Sequence, residues 1–88
     1  MKVIISPRAE RQLGKLPKMK QIIVGTKIRS VGGSGKVSGE ELLRGYKNIY
    51  RVRMGDYRMI YRRNIEGIYI ILIGHRRDIY KLLDRWLG

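Results

Sequence analysis

Four arginines and a tyrosine stand out in the second half of the chain. Arg51, Arg53 and Arg58 fall within one short window, and Arg76 and Tyr80 follow. A guanidinium keeps its charge at any working pH and donates hydrogen bonds in a planar fork, which suits it to phosphate oxygens. Tyr80 offers a ring on which a nucleobase could stack, or a ring that packs on the body of the protein. His75 is the only histidine, and so the one side chain whose ordinary titration lies near neutral pH. It is a candidate general base, although a histidine at the end of a strand also serves as a turn residue. With no cysteine, one histidine and seven carboxylates, the chain carries no pattern for a metal site. No cofactor is expected.

The whole chain leans the same way. Lys and Arg number 20 against 7 Asp and Glu, a net charge of +13. A folded domain this basic faces a polyanion, with nucleic acid first among them, or is charged for solubility. With 88 residues, 43% of them apolar, residues 1–88 make one domain with one thin core. The longest apolar run, Ile68 to Ile73, is far short of the roughly 20 residues a bilayer needs. Met1 to Ser6 lack the apolar core and cleavage site of a secretory signal, so a cytoplasmic location is expected.

The elements that must position these residues follow from periodicity. Lys2 to Ile5 form a β-prone run that stops at Ser6-Pro7, a helix cap followed by a proline suited to the first helical position. Ala9, Leu13 and Leu16 share one helical face, and Pro17 divides that helix from a second. In the second, Met19, Ile22, Ile23, Ile28 and Val31 are the expected buried residues, and Val31 the expected end. The glycine-rich segment 32–39 departs from a phosphate-binding loop. Ser30 stands in place of the first glycine, Val37 in place of the residue after the lysine, and a helix precedes it. It reads as a mobile connector.

Beyond it the period changes to two. Tyr50, Val52 and Met54 alternate with Arg51 and Arg53, Gly55-Asp56 signals a two-residue hairpin turn, and Tyr57, Met59 and Tyr61 alternate with Arg58, Ile60 and Arg62. That turn pairs Arg53 with Arg58 and Arg51 with Ile60. Like charges directly opposite each other destabilise a sheet. Either the long side chains splay into water, or an anion binds there. Ile68 to Ile73 read as a buried central strand, Asp78 as a cap, and Ile79, Leu82, Leu83 and Trp86 as the buried stripe of a last helix. The expected fold is α+β in the order β-α-α-β-β-β-α: a small twisted antiparallel sheet, an N-terminal helical hairpin and a C-terminal helix.

The runs Leu43-Arg44-Gly45, Tyr50 to Tyr61 and Ile73 to Tyr80 together resemble the RelE/ParE superfamily of toxins from toxin–antitoxin systems, the RelE-type branch above all. The resemblance implies a RelE-like microbial RNase fold. It implies a metal-independent endoribonuclease that cuts mRNA on the ribosome and is held inactive by an acidic antitoxin in a hetero-oligomer. It implies that Arg51, Arg53, Arg58, Arg76 and Tyr80 are the catalytic set. Arg58 would contact the scissile phosphate, Arg76 would act as acid or charge stabiliser, and Tyr80 would stack on the base. Lys15, Lys18, Lys20, Arg77 and Lys81 are expected to dock RNA and ribosome. Arg51 and Arg53 stand where relatives often carry lysine, and an arginine is a poor proton acceptor. Two other readings stay open: a ParE-type inhibitor of DNA gyrase, and a member that binds RNA or ribosomes without cutting.

Overall fold

A computed structural model describes residues 2–34 and 37–87. The elements are β1 (Lys2–Ile5), α1 (Pro7–Gly14), α2 (Lys18–Ser34), β2 (Glu41–Leu42), β3 (Ile49–Met54), β4 (Tyr57–Asn64), β5 (Gly67–His75) and α3 (Ile79–Leu87). The α+β class and the helical hairpin agree with the sequence reading, and β2 is an addition to it. The five strands form one sheet in the order β1-β5-β4-β3-β2. Three neighbouring pairs are antiparallel, but β1 runs parallel to β5, so the sheet is mixed where a wholly antiparallel one was expected. After β1 the chain crosses through the helical layer to the far edge and winds back by hairpins, and its last strand meets the first in the same direction.

Local chemistry sets the N-terminal half. The Ser6 hydroxyl accepts the Ala9 amide at 3.0 Å and donates to the Ile71 carbonyl at 2.9 Å, capping α1 and tying it to β5. Such a cap is worth about 1 kcal/mol. The Gln21 amide donates to the Gly14 and Leu16 carbonyls, closing the C-terminal end of α1 from the first turns of α2. Glycine at residue 67 is required, because a Cβ there would lie 2.1 Å from the Lys2 carbonyl oxygen.

Three expectations need correction. In α2 the inner face is Val24, Ile28 and Val31, while Met19, Ile22 and Ile23 are exposed. The helix also runs on through Gly32 and Gly33 to Ser34, with Gly32 beside the Val3 side chain of β1. Packing of Val31 outweighs the poor helix propensity of the glycines. Val37 is buried, so the two ends of segment 32–39 are structured; Gly35 and Lys36 lie outside the described residues. In α3, Ile79 and Leu83 are buried and Leu82 is half-buried, but Trp86 is 48% exposed beneath the Arg8 guanidinium, 3.4 Å from its ring centroid.

The sheet carries a cluster on each face. Val52, Met54, Met59, Tyr61, Ile68, Ile70 and Ile73 pack with Ala9, Val24 and Val31 of the helical hairpin. Ile49, Ile60, Ile71 and Leu72 pack with Ile79 and Leu83 of α3. Ile60 pairs with Leu72 but Tyr61 pairs with Ile70, so Ile71 is an extra residue in β5. This bulge puts Ile71 and Leu72 on the same side. It explains why β5 reads as apolar on both faces; only Tyr69 within that run is exposed. The middle strand is β4, with β5 beside it.

Candidate functional site

The β3–β4 hairpin closes through Gly55-Asp56, with Gly55 at φ 64°, a conformation that favours glycine. The register is the one the turn dictates: Arg53 opposite Arg58, Arg51 opposite Ile60. By strand alternation, all three arginines lie on the α3 side of the sheet. Arg58 is half-buried, and its Nη1 donates to the Gly55 carbonyl at 2.8 Å and the Tyr57 carbonyl at 3.0 Å, which turns its charge toward the hairpin tip. Arg53 is exposed. Across β4 from Arg53 the row continues to Gly74, where a Cβ would come within 3.2 Å of Ile79. The turn after β5 is tied to the same tip. The Arg76 amide donates to the Asp56 carbonyl at 2.8 Å, and its guanidinium Nε lies 3.7 Å from the Asp56 carboxylate.

Tyr80 comes to this face from the first turn of α3. Its hydroxyl accepts from Arg51 Nη1 at 2.6 Å, and its ring is 37% exposed. The other end of the Arg51 fork binds the Glu41 carboxylate. Arg51 is thus the hinge of a Glu41–Arg51–Tyr80 triad. Its bond to Tyr80 and the Glu41 charge push its pKa further up against the effect of burial, so it holds its proton throughout. Its Nε is buried and has no hydrogen-bond partner among the described residues. Sequence reasoning missed Glu41. Its only signal was its place beside the hairpin: β2 is two residues long, and its pairing sets Glu41 opposite Arg51.

His75 does not join the arginines. It pairs with Tyr57, two residues along from the Met59–Ile73 pair, and so lies on the helical-hairpin side. Its ring meets the Tyr57 ring edge-on at 5.5 Å, and its Nδ1 accepts the Arg77 amide at 3.1 Å. That bond engages Nδ1 in the turn after β5. Lys15 and Lys18 are exposed where α1 gives way to α2. Lys20 is half-buried, with its ammonium 5.9 Å from the Tyr57 ring centroid. It shares a groove with Lys27, Arg53 and Gly55, so α2 extends the positive surface past the hairpin tip. Arg77 and Lys81 are exposed beside Arg76 and Tyr80. Among the described residues no cluster of His, Cys, Asp or Glu could hold a metal ion, and no helix is long and apolar enough to cross a membrane.

The family model of the ParE toxin of type II toxin–antitoxin systems matches residues 3–80. The chain belongs to the RelE/ParE superfamily. It is a toxin of the type II class. Its fold is that of solved RelE structures. The RelB–RelE antitoxin–toxin complex of Methanococcus jannaschii aligns with TM-score 0.79 and 22% identity, over 90% of this chain and 96% of that one. The RelBE2 toxin–antitoxin complex of Mycobacterium tuberculosis aligns with TM-score 0.70 and 26% identity, over 84% and 95%. The isolated E. coli RelE toxin aligns with TM-score 0.70 and 23% identity, over 97% of both chains. No curated protein matches the chain. In this toxin the Arg51–Tyr80 bond joins the second half of the sheet to α3, and so assembles one face from residues far apart in the sequence.

Proposed function

We propose that this RelE/ParE toxin is a metal-independent endoribonuclease that cuts mRNA on the ribosome. The observation that carries the reading is the convergence of Arg51 and Tyr80 at 2.6 Å, on the face that also bears Arg53 and Arg58 and ends at Arg76. In the proposed reaction a ribose 2′-hydroxyl attacks its own adjacent phosphate. The 5′-oxygen leaves, and a cyclic phosphate remains. Such a step needs alignment of the attacking oxygen and preorganised positive charge at the crowded phosphorane. Arg58 and Arg53 supply the charge, Arg76 stabilises the leaving oxygen, and Tyr80 stacks on a base. Lys15, Lys18, Lys20, Arg77 and Lys81 dock RNA and ribosome. A toxin that acts on translating ribosomes would work in the cytoplasm.

An antitoxin held with the toxin is the natural partner, since two of the similar solved structures are toxin–antitoxin complexes. The +13 charge predicts that this partner is acidic. A second reading is favoured by the family model itself, which is that of ParE. In that reading the toxin inhibits DNA gyrase and cuts nothing. One experiment separates them: induce the toxin in a translating extract, map message ends by primer extension, and assay gyrase supercoiling in parallel. Cuts within codons of ribosome-bound message support the nuclease. Loss of supercoiling with intact message supports the gyrase inhibitor.

A further inference from the structure

Tyr80 reaches the arginine face from a short helix with few anchors. α3 has nine residues, too few to hold their shape without support, and only Ile79 and Leu83 among them are buried. These two stand one turn apart on a single line, with Leu82 and Leu87 half-buried beside it, so their packing restrains rotation about the helix axis only weakly. Rotation matters to the site. By helical periodicity Tyr80 and Asp84 flank one side of that line and Trp86 flanks the other. Specific contacts grip both sides. The Tyr80 hydroxyl accepts from Arg51 at 2.6 Å, and Asp84 accepts the Tyr46 hydroxyl at 2.7 Å. Opposite them, the Arg8 guanidinium lies 3.4 Å from the centroid of the Trp86 ring.

Arg8 is well placed to serve as a fixed point. β1 pairs with β5 only as far as Ile70, and α1 takes over the edge of β5 from there. The Ser6 amide donates to the Ile70 carbonyl at 2.9 Å, and the Gln12 side-chain oxygen accepts the Ile73 amide at 2.8 Å. Arg8, in the first turn of α1, is thus tied to the strand on which α3 packs. Among the described residues it has no carboxylate partner, and the indole face takes its charge. We infer that Arg8 and Trp86 are positioning residues for Tyr80, a role that rests on the nuclease reading above. Their stack stops α3 from rolling on the sheet, and so keeps the Tyr80 hydroxyl on Arg51 and its ring where a base would stack. The pair acts through the helix, from the side remote from Tyr80.

Trp86 is the only tryptophan, so its fluorescence reports the stack directly. Arg8→Ala should open Trp86 to acrylamide quenching, and Arg8→Lys, which keeps a cation, should do so less. Single-turnover cleavage is then measured on ribosomes programmed with a defined message, at saturating toxin and below the melting range of every variant. Arg8→Ala and Trp86→Ala should each cut about 10-fold more slowly, a fraction of what a misplaced group can cost, with ribosome affinity unchanged. Arg8→Lys and Trp86→Phe should recover part of the rate. The deciding arm repeats Arg8→Ala in a Tyr80→Ala chain. No ring remains there to be positioned, so cleavage should slow no further. Unchanged quenching, or a wild-type rate in Arg8→Ala, overturns the assignment. Equal slowing with and without the Tyr80 ring overturns it too, and so does a loss confined to ribosome affinity, which would make Arg8 a docking cation. Each of these leaves the nuclease reading standing. A wild-type toxin that leaves all message intact overturns that reading and this role together.

Discussion

Glu40 and Glu41 are adjacent in sequence and grip opposite faces of the sheet. Glu41 binds Arg51, which bonds Tyr80. Glu40 binds Arg63 at 2.6 Å and accepts the Tyr61 hydroxyl. Each face thus holds a Glu–Arg–Tyr triad, and the surroundings differ. Tyr61 is fully buried, stacks on Tyr50 at 5.8 Å between centroids, and lies in a strand covered by the helical hairpin. Burial, then the bond to Glu40, pushes its pKa well above the ordinary tyrosine value. Tyr80 is more than a third exposed, at the end of a row of arginines. The inner triad closes around the buried Tyr61, with Arg63 and Glu40 each about a quarter exposed, and it anchors the approach of β2 to the sheet. The outer triad opens onto like charges that only an anion would neutralise. The same residue types are structural where protein surrounds them and available for chemistry where it does not.

The largest effect expected on the outer face comes from Arg58. Arg58→Ala should lower single-turnover cleavage about 10²–10³-fold, the loss typical of a preorganised donor to developing negative charge. Its stability should stay within about 0.5 kcal/mol of the wild type, because relief of repulsion from Arg53 offsets the lost bonds to the Gly55 and Tyr57 carbonyls. Thermal melts set beside primer-extension rates decide the matter. A variant that melts several degrees lower yet cuts at the wild-type rate when folded would make Arg58 a structural clip on the turn.

Tyr80 gives a smaller loss. Tyr80→Ala should cost cleavage about 1–3 kcal/mol of stacking, roughly 5- to 150-fold. Tyr80→Phe should keep most of the rate, since the ring remains. If both variants lose equally, the hydroxyl on Arg51 is what matters. If neither loses, the ring only packs.

The two triads were unequally legible. Gly55-Asp56 and the strict alternation around it fixed the pairing of Arg53 with Arg58, because a hairpin register depends on nearby residues alone. Ser6-Pro7 likewise marked the start of α1. Glu41 was invisible: two paired residues, both exposed, leave no periodic trace, and the contact to Arg51 forms only once the chain has crossed the helical layer. The face that His75 takes was not legible for a related reason. It stands next to Arg76 in sequence, yet strand alternation puts its side chain on the helical-hairpin face with Tyr57. The inner face of α2 was ambiguous because apolar residues occur around much of its first half, and only the packing of Val24 and Val31 selects one side.

On the inner face the effect should appear in stability alone. Tyr61→Phe removes a buried hydroxyl from Glu40 and should cost about 1–2 kcal/mol at neutral pH, a fall of several degrees in Tm for a domain this small, while the folded variant cuts at the wild-type rate. The pH dependence has a definite sign. The folded-state pKa of Tyr61 is raised above the ordinary 10.0, so above pH 10.0 the unfolded chain loses the proton first and the wild type is destabilised as pH rises. Phenylalanine does not titrate. The stability gap between wild type and Tyr61→Phe should therefore be widest below that pH and narrow above it. Tyr46, whose pKa is also raised, first through its bond to Asp84, titrates in both proteins and cancels. Urea unfolding at stepped alkaline pH reads the gap directly, and a gap that widened above pH 10.0 would contradict the burial of this hydroxyl.

The smallest effect concerns Arg53, and it bears on why like charges sit on the outer face. No hydrogen bond or ion pair stabilises this exposed side chain in the described contacts, and it faces Arg58 across the strands. Threonine has good strand propensity and no charge. Arg53→Thr should therefore raise stability by roughly 0.2–1 kcal/mol, and the gain should shrink as salt screens the repulsion. The inner face offers the contrast. Arg63 is paired with Glu40, so Arg63→Thr should lower stability under the same conditions. If the outer arginine is kept for an anion, Arg53→Thr should also weaken binding to programmed ribosomes and flatten its salt dependence by about one counterion. Stability would then rise as function falls. A variant in which both fall together would mean that Arg53 holds the hairpin in shape, and that the outer face, like the inner one, is structural at this position.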